Sequence, residues 1–366
     1  MKFVKSLAVA SALALSTISM VQQASASECG LSCCIAAGVD GIGSATGLTV
    51  SLQYDAMYMK TNKTGTSKIA PKQIIDNHLA NQMMGMYAVS NNMTMQKIAA
   101  NFAYRMDEDN AFVLTVPYLI NDMEMMMGRK MGGMTTYSYN NMETIEGLGD
   151  ISLLYMRDVY KDADIRTRQR FSVGVGVKAA TGAYKARTAA PGNYLVHMMM
   201  QAGTGSWDGL LLASGVLAFG EHEDGGAQWM LAPSATYHMT TRNSLGYKVG
   251  DRLNYDLSAR YRVSSAFNVK LDMNGVWSQK DSTDGTQDPM HLNNAMVPAA
   301  YQRTVNVLDN VANTGLHSIF ISPGFQWIVA DGVTLSGEYR MPVYQNVNGI
   351  QQVTDNWFFL RATTFF

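Results

Sequence analysis

The sequence has no surplus of charge of one sign: 28 Lys and Arg against 29 Asp and Glu leave a formal net charge of -1. It therefore lacks the basic field that nucleic-acid binding needs, and that partner class is excluded. Cysteine is scarce, with three in 366 residues, and all three lie between positions 29 and 34. There is no C-x-x-C-H motif for covalent haem and no nucleotide-binding signature, so neither bound haem nor energy coupling is expected. After residue 26 no apolar run approaches the roughly 18–20 residues of a spanning helix, which excludes a helical anchor. His78, His197, His222, His238, His291 and His317 are scattered, without a second ligand pair at tight spacing.

What is present begins with Lys2 and Lys5, a small apolar run from Leu7 to Val21, and Ala24-Ser25-Ala26. A basic start, a short apolar core and an A-x-A site describe a secretory signal peptide, cleaved between Ala26 and Ser27. The domain reading is a signal peptide at 1–26, a Cys-containing segment at 27–46 that sits in the lumen or hangs in the periplasm, and one unit at 47–366.

That unit alternates. In residues 47–60, Leu48, Val50, Leu52, Tyr54, Ala56 and Tyr58 share one face, and Thr49, Ser51, Gln53, Asp55, Met57 and Met59 the other. Residues 97–106 and 111–120 repeat the pattern around the turn "DEDN", and "RLNYDLSARYRV" puts Asn254, Asp256, Ser258, Arg260 and Arg262 on one side. So many inward charges belong in a wet lumen, not a dry sandwich core. Further strands are expected at 148–159, 170–182, 205–219, 228–240, 266–278, 315–329, 333–346 and 355–366. The fold class is all-β: a transmembrane antiparallel up-and-down barrel of about 12 strands, or 14 if 82–92 forms an extra hairpin. Turns near 107–110, 264–266 and 330–333 are short, whereas 61–81, 122–146, 183–202 and 279–314 are long, the periplasmic and external ends respectively. The closing strand alternates to Phe366, as in barrels of the cell outer membrane whose last residue is read by the assembly machinery. Trp357, Phe358 and Phe359 are expected at the lipid interface, so the partners implied are outer-membrane lipid, that machinery and a small-molecule solute.

Thirteen of the 27 methionines lie between Met83 and Met142. Strand parity directs Met57 and Met59, Met93 and Met95, and Met123, Met125 and Met127 inward from three neighbouring strands near the outer mouth. Three readings stand side by side: adaptable packing or a loop plug, a lining for apolar solutes, and a thioether site for Cu(I) or Ag(I). Asp55, Lys97, Arg105, Lys178, Asp256, Arg260, Arg262, Lys270, Asp272, Glu338 and Arg340 form a mixed-sign lumen set that constricts a pore or braces the wall. Cys29 and Cys33 are candidates for a disulfide in an oxidising compartment, which leaves Cys34 over; thiolate metal binding, redox work, a partner link and lipid attachment are the other readings. His197, beside Met198, Met199 and Met200, reads as a solvated loop residue, or else as an imidazole added to the external soft-ligand set. "GTGSWDG" is not a nucleophile elbow, because that motif needs a strand-to-helix turn; no enzyme activity is expected.

Residues 147–208 carry a resemblance. "GLGDISLLYMRDVY", "RFSVGVGVKAATGAY" and "AGTGSWDGLLLASG" resemble landmarks of the outer-membrane transporter family associated with phenol-degradation operons, and "MMGMYAVSNNMTMQKIAANFAYRMDEDNAFVLTVPYL" resembles a methionine-rich subset of it. The resemblance implies a membrane barrel passing small molecules, hydrophobic ones included, without catalytic residues. "CGLSCC" departs from that family. The expected function is passive transport without a cofactor; the alternatives are a soft-metal barrel holding copper or silver, and a structural barrel docking a redox partner.

Overall fold

The computed structural model describes residues 46–162, 169–188, 195–223, 226–284 and 307–366. The signal peptide and Cys29, Cys33 and Cys34 lie outside the described residues.

The chain runs through β1 (Gly47–Gly65), β2 (Ser67–Lys68), α1 (Pro71–Leu79), β3 (Met84–Arg105), β4 (Asn110–Met131), β5 (Met134–Asn141), β6 (Ile145–Leu148), β7 (Ser152–Lys161), β8 (Gln169–Lys178), β9 (Asp208–Phe219), β10 (Trp229–Met239), β11 (Tyr247–Lys248), β12 (Arg252–Arg262), β13 (Phe267–Ser278), β14 (Ser282–Thr283), β15 (Leu316–Ala330) and β16 (Val333–Phe365). Consecutive long strands pair antiparallel, and β16 returns to β1, so the sheet closes. Closure removes the exposed edge that an open sheet cannot keep in lipid. Among the described residues no helix is long and apolar enough to span a membrane.

β16 is continuous extended backbone that reverses at Asn348-Gly349. Its first leg pairs with β15 and its second with β1, and Tyr339 to Asn356 and Gln345 to Thr354 bonds join the legs. Counting both legs, twelve staves surround the lumen, as the alternation predicts. The alternative of an extra hairpin at 82–92, which would have made fourteen strands, is not what the fold shows. Those residues belong to β3, whose register shifts between Ser90 and Asn92, and the additional strands are short: β2 beside β1, β5 and β6 beside β4, and the separate β11–β14 pair.

β3 and β4 each run for 22 residues, well beyond the roughly 9–11 that a tilted spanning strand needs. The excess stands above the long-loop rim as a ribbon completed by β5. Residues 122–146, expected as a loop, are thus mainly strand. Met131 and Met134 pair across Gly132 and Gly133, at φ +58 and +96, a two-residue turn that demands left-handed backbone at both positions. Pro71 opens α1, where its missing N–H costs nothing. The helix packs on the Tyr87–Gly128 face of the ribbon, which is opposite to the Ala88–Met127 face because neighbours in a strand alternate. Ile74, Ile75 and Leu79 are buried there, His78 stacks on Tyr87 at 3.6 Å, and Lys130 Nζ donates to the Leu79 and Ala80 carbonyls at the helix end.

The outer face is apolar between two aromatic girdles. Tyr104, Phe219, Trp229 and Trp327 are exposed towards the short-turn rim, and Tyr58, Trp207, Trp277 and Phe358 towards the long-loop rim. This is the surface of a barrel solvated by lipid.

Candidate functional site

The inward face is polar from its first residues. Thr49, Ser51, Gln53 and Asp55 of β1 are buried, while Leu52, Tyr54 and Tyr58 between and above them are exposed to the outside. Because the inward residues of neighbouring strands stand opposite one another, hydrogen bonds run around the wall. Thr115 Oγ1 donates to Asn101 Oδ1 at 2.9 Å, and Ser258 Oγ donates to Asp272 at 2.6 Å.

The charged side chains form a belt across the middle of one half of the barrel. Lys270 Nζ lies 3.2 Å from Asp272 and 2.7 Å from Glu338, and Glu338 also holds Arg340 at 3.1 Å. The Arg340 guanidinium covers the Trp357 ring at 4.2 Å, the Trp357 indole donates to Asp55 at 3.2 Å, and Asp55 pairs with Lys97 at 3.0 Å. The belt therefore passes from β12 through β13, both legs of β16 and β1 to β3 without a break in contact. Arg260 Nη1 reaches Gln326 at 3.2 Å, and Asp256 accepts from Asn274 at 2.7 Å. Arg105 stands lower, near the short-turn rim, where it pairs with Asp158 at 3.1 Å. Arg262 is only half-buried at the end of β12, and its carbonyl accepts from Gln228. Side-chain exposure in the belt is 2% or less for Lys270, Asp272, Glu338 and Arg340. Charges this dry are held by their partners along the wall.

Two residues that hold the belt together were assigned elsewhere from sequence. Trp357 and Phe359, expected at the lipid interface, point inward under Arg340 and Arg361, and only Phe358 faces out. Their parity with Arg361 is the signal that places them inside. Arg361, one of the most completely buried side chains, is absent from the sequence-derived charge set, as are Asp158 and Arg170.

Directly above the belt lies the methionine layer. Register sets Met57 opposite Met95, Met59 opposite Met93, and Met93 opposite Met123. All seven methionines singled out by parity pack in one apolar cluster: Met59, Met93, Met123 and Met125 buried, Met57, Met95 and Met127 partly so. The cluster is covered by Val196, Met200, Val307 and Leu308 from loop segments of the long-loop rim. His197 is buried, not solvated, because this loop turns into the barrel mouth.

A third assembly at the rim makes that inward turn. Asp150, at the end of "GLGD", accepts from Gly182 N at 2.9 Å, Thr204 N at 2.9 Å and Lys178 Nζ at 2.7 Å. Lys178 also bonds Asp208 at 2.8 Å and Thr204 Oγ1 at 2.6 Å, and Ser206 donates to Asp208 at 2.8 Å. The backbones of Gly182 and Gly203 touch: a Cβ on Gly203 would come within 2.5 Å of the Gly182 carbonyl carbon. The three landmarks at 147–208 are thus one clasp that ties the ends of β7, β8 and β9 and directs the loop bearing Met200 inward. Ser206 serves the clasp.

Neither a protein-family model nor a curated protein matches the chain. Among solved structures the chain is similar to the COG4313 outer membrane channel from Pseudomonas putida F1, at 12% identity over 88% of this chain and 96% of that one, with a TM-score of 0.54. It is similar at lower scores to the beta domain of the Bordetella autotransporter Brka (9% identity, 88% and 100% covered, TM-score 0.41) and to a Pseudomonas aeruginosa FadL homologue (10%, 87% and 90%, 0.37). The first likeness establishes the fold as that of an outer-membrane β-barrel.

Proposed function

We propose that this protein is an outer-membrane channel that passes small molecules by passive diffusion, in a conformation whose lumen is constricted by the charged belt and covered by the methionine layer. The observation that carries the reading is the lumen wall: a closed barrel, apolar outside, whose inward face is hydrogen-bonded and carries a charged belt along one half of its circumference. A lumen lined by charged and hydrogen-bonding side chains is the kind of lining that a pore for small solutes uses. The likeness to a channel of the same fold supports the reading, as does the resemblance of the 147–208 landmarks to a transporter family. Export through a signal peptide ending at Ala26 belongs to the same reading.

A barrel that docks a redox partner is less well supported, because the methionine cluster is covered by Val196, Met200, Val307 and Leu308 of the barrel's own long-loop segments. The test is planar-bilayer conductance of the purified protein. Discrete openings are expected, with larger unitary conductance in the Glu338→Ala/Arg340→Ala variant, which removes two neighbouring belt side chains together. A wild-type protein that inserts and never opens, across the accessible voltage range, rules the channel out.

A further inference from the structure

The methionine layer is ringed by polar side chains that apolar packing does not explain. Asn62 Nδ2 donates to the Ser90 carbonyl at 2.9 Å, Asn121 Nδ2 to the Met200 carbonyl at 3.1 Å, and Gln352 Nε2 to the Met59 carbonyl at 3.1 Å. Each amide thus spends its N–H on the backbone of the layer and leaves its own carbonyl oxygen buried with no hydrogen-bond partner; the Ser90 hydroxyl is buried in the same condition. All four stand at the methionines. Asn62 is opposite Gln352, Asn121 opposite Met95, and Ser90 opposite Met125.

A buried acceptor without a donor costs free energy comparable to a lost hydrogen bond, so an isolated instance is already unusual in a native protein. Four around one cluster of thioethers suit an electropositive guest. The ligand set is neutral and soft: among the described residues no three His, Cys, Asp or Glu side chains gather to hold a metal. Calcium and magnesium require several hard oxygens, usually with carboxylates, and zinc takes thiolate, imidazole or carboxylate. Thioether sulfur selects Cu(I) and its heavier analogue. A single positive charge is also the one that neutral ligands offset most readily away from water.

We propose that Met59, Met93, Met123 and Met125, with Met200 from the covering loop, form a binding site for a soft monovalent metal ion, Cu(I) or Ag(I). The sulfurs ligate the ion, and the amide oxygens of Asn62, Asn121 and Gln352 supply the surrounding negative potential. The rim methionines Met83, Met84 and Met134 are exposed on the ribbon tip and stand outside this site. The site rests on the layer's own geometry and stands or falls independently of channel activity.

The experiment is calorimetric titration of Ag(I) into the mature protein folded in detergent, with Cys29, Cys33 and Cys34 first alkylated by N-ethylmaleimide so that thiolates do not bind the metal. About one tight equivalent is expected, together with a rise in Tm as metal binds the folded state. Affinity is expected to fall at least about tenfold in Met93→Leu/Met123→Leu, on the scale of lost metal-site contacts, and to be unchanged in the rim variant Met83→Leu/Met84→Leu/Met134→Leu. Leucine nearly conserves methionine volume, so the fold is expected to persist, as heat-modifiable gel migration will read. Should the double variant not fold, Met59→Leu and Met125→Leu carry the same comparison. Absence of binding, equal affinity in the layer variants, or a loss confined to the rim variant overturns the site and leaves the layer as packing around water or an organic guest.

Discussion

The belt and the layer occupy neighbouring levels of one lumen and are built on opposite principles. In the belt, Lys270, Glu338, Arg340 and Asp55 are fixed by directional contacts of about 3 Å to named partners. In the layer, Met57, Met59, Met93, Met95, Met123 and Met125 meet through flexible thioethers that adapt to whatever fills the space. The lower level therefore specifies geometry, and the upper level tolerates change of shape.

Substitutions at the two levels differ accordingly. Lys270→Met is expected to have the largest effect, because it removes the cation that Asp272 and Glu338 share and leaves Asp272 buried without an ion-pair partner at contact distance while Glu338 keeps Arg340 alone; about 3–5 kcal/mol of stability is at stake, measured by urea unfolding in detergent. A loss under about 1 kcal/mol, the level of a solvated pair, would mean that the belt is hydrated. Gly203→Ala drives a Cβ into the Gly182 backbone and is expected to cost about 1–3 kcal/mol. It should also expose the loop bearing Met200 to protease; an unchanged digestion pattern would detach the clasp from the cover. Met93→Leu is expected to cost less than about 1.5 kcal/mol, and a belt-sized loss there would erase the contrast.

The smallest effect concerns α1. Burial against Tyr87 lowers the His78 pKa, so docking favours the neutral ring. A depressed histidine adds stability above its ordinary value of about 6.5 and loses it as pH falls through that value towards the folded one. Amide-exchange protection of 71–79, corrected for intrinsic rates, should therefore drop on acidification and do so less in His78→Gln. Protection that is flat with pH in the wild type would place the helix docking elsewhere.

Strand faces were legible wherever period-two alternation ran uninterrupted, as in "RLNYDLSARYRV", where Asp256, Ser258 and Arg260 are buried and Leu257 and Tyr261 exposed. Legibility failed at two kinds of place. One is the register shift at Ser90–Asn92, beyond which inward parity on β3 changes and "YAVS" no longer reads as the continuation of "TMQKIA". The other is the terminal strand, where aromatic character suggested lipid while the parity shared by Trp357, Phe359 and Arg361 decided for the lumen. Residue type competes with periodicity there, and burial beneath Arg340 determines which prevails.

By itself the sequence determined the closed antiparallel barrel, its polar lumen and the convergence of seven methionines, because side-chain alternation in a strand is a local property that each segment carries independently. Only the tertiary structure decided that Asp150, Lys178 and Asp208 form one clasp, that Met200 covers the layer, and that Asn62, Asn121 and Gln352 leave their oxygens at the thioethers. Those contacts join residues far apart in the chain, and their partners are chosen by barrel closure and by loops folding over the mouth, which no local pattern encodes.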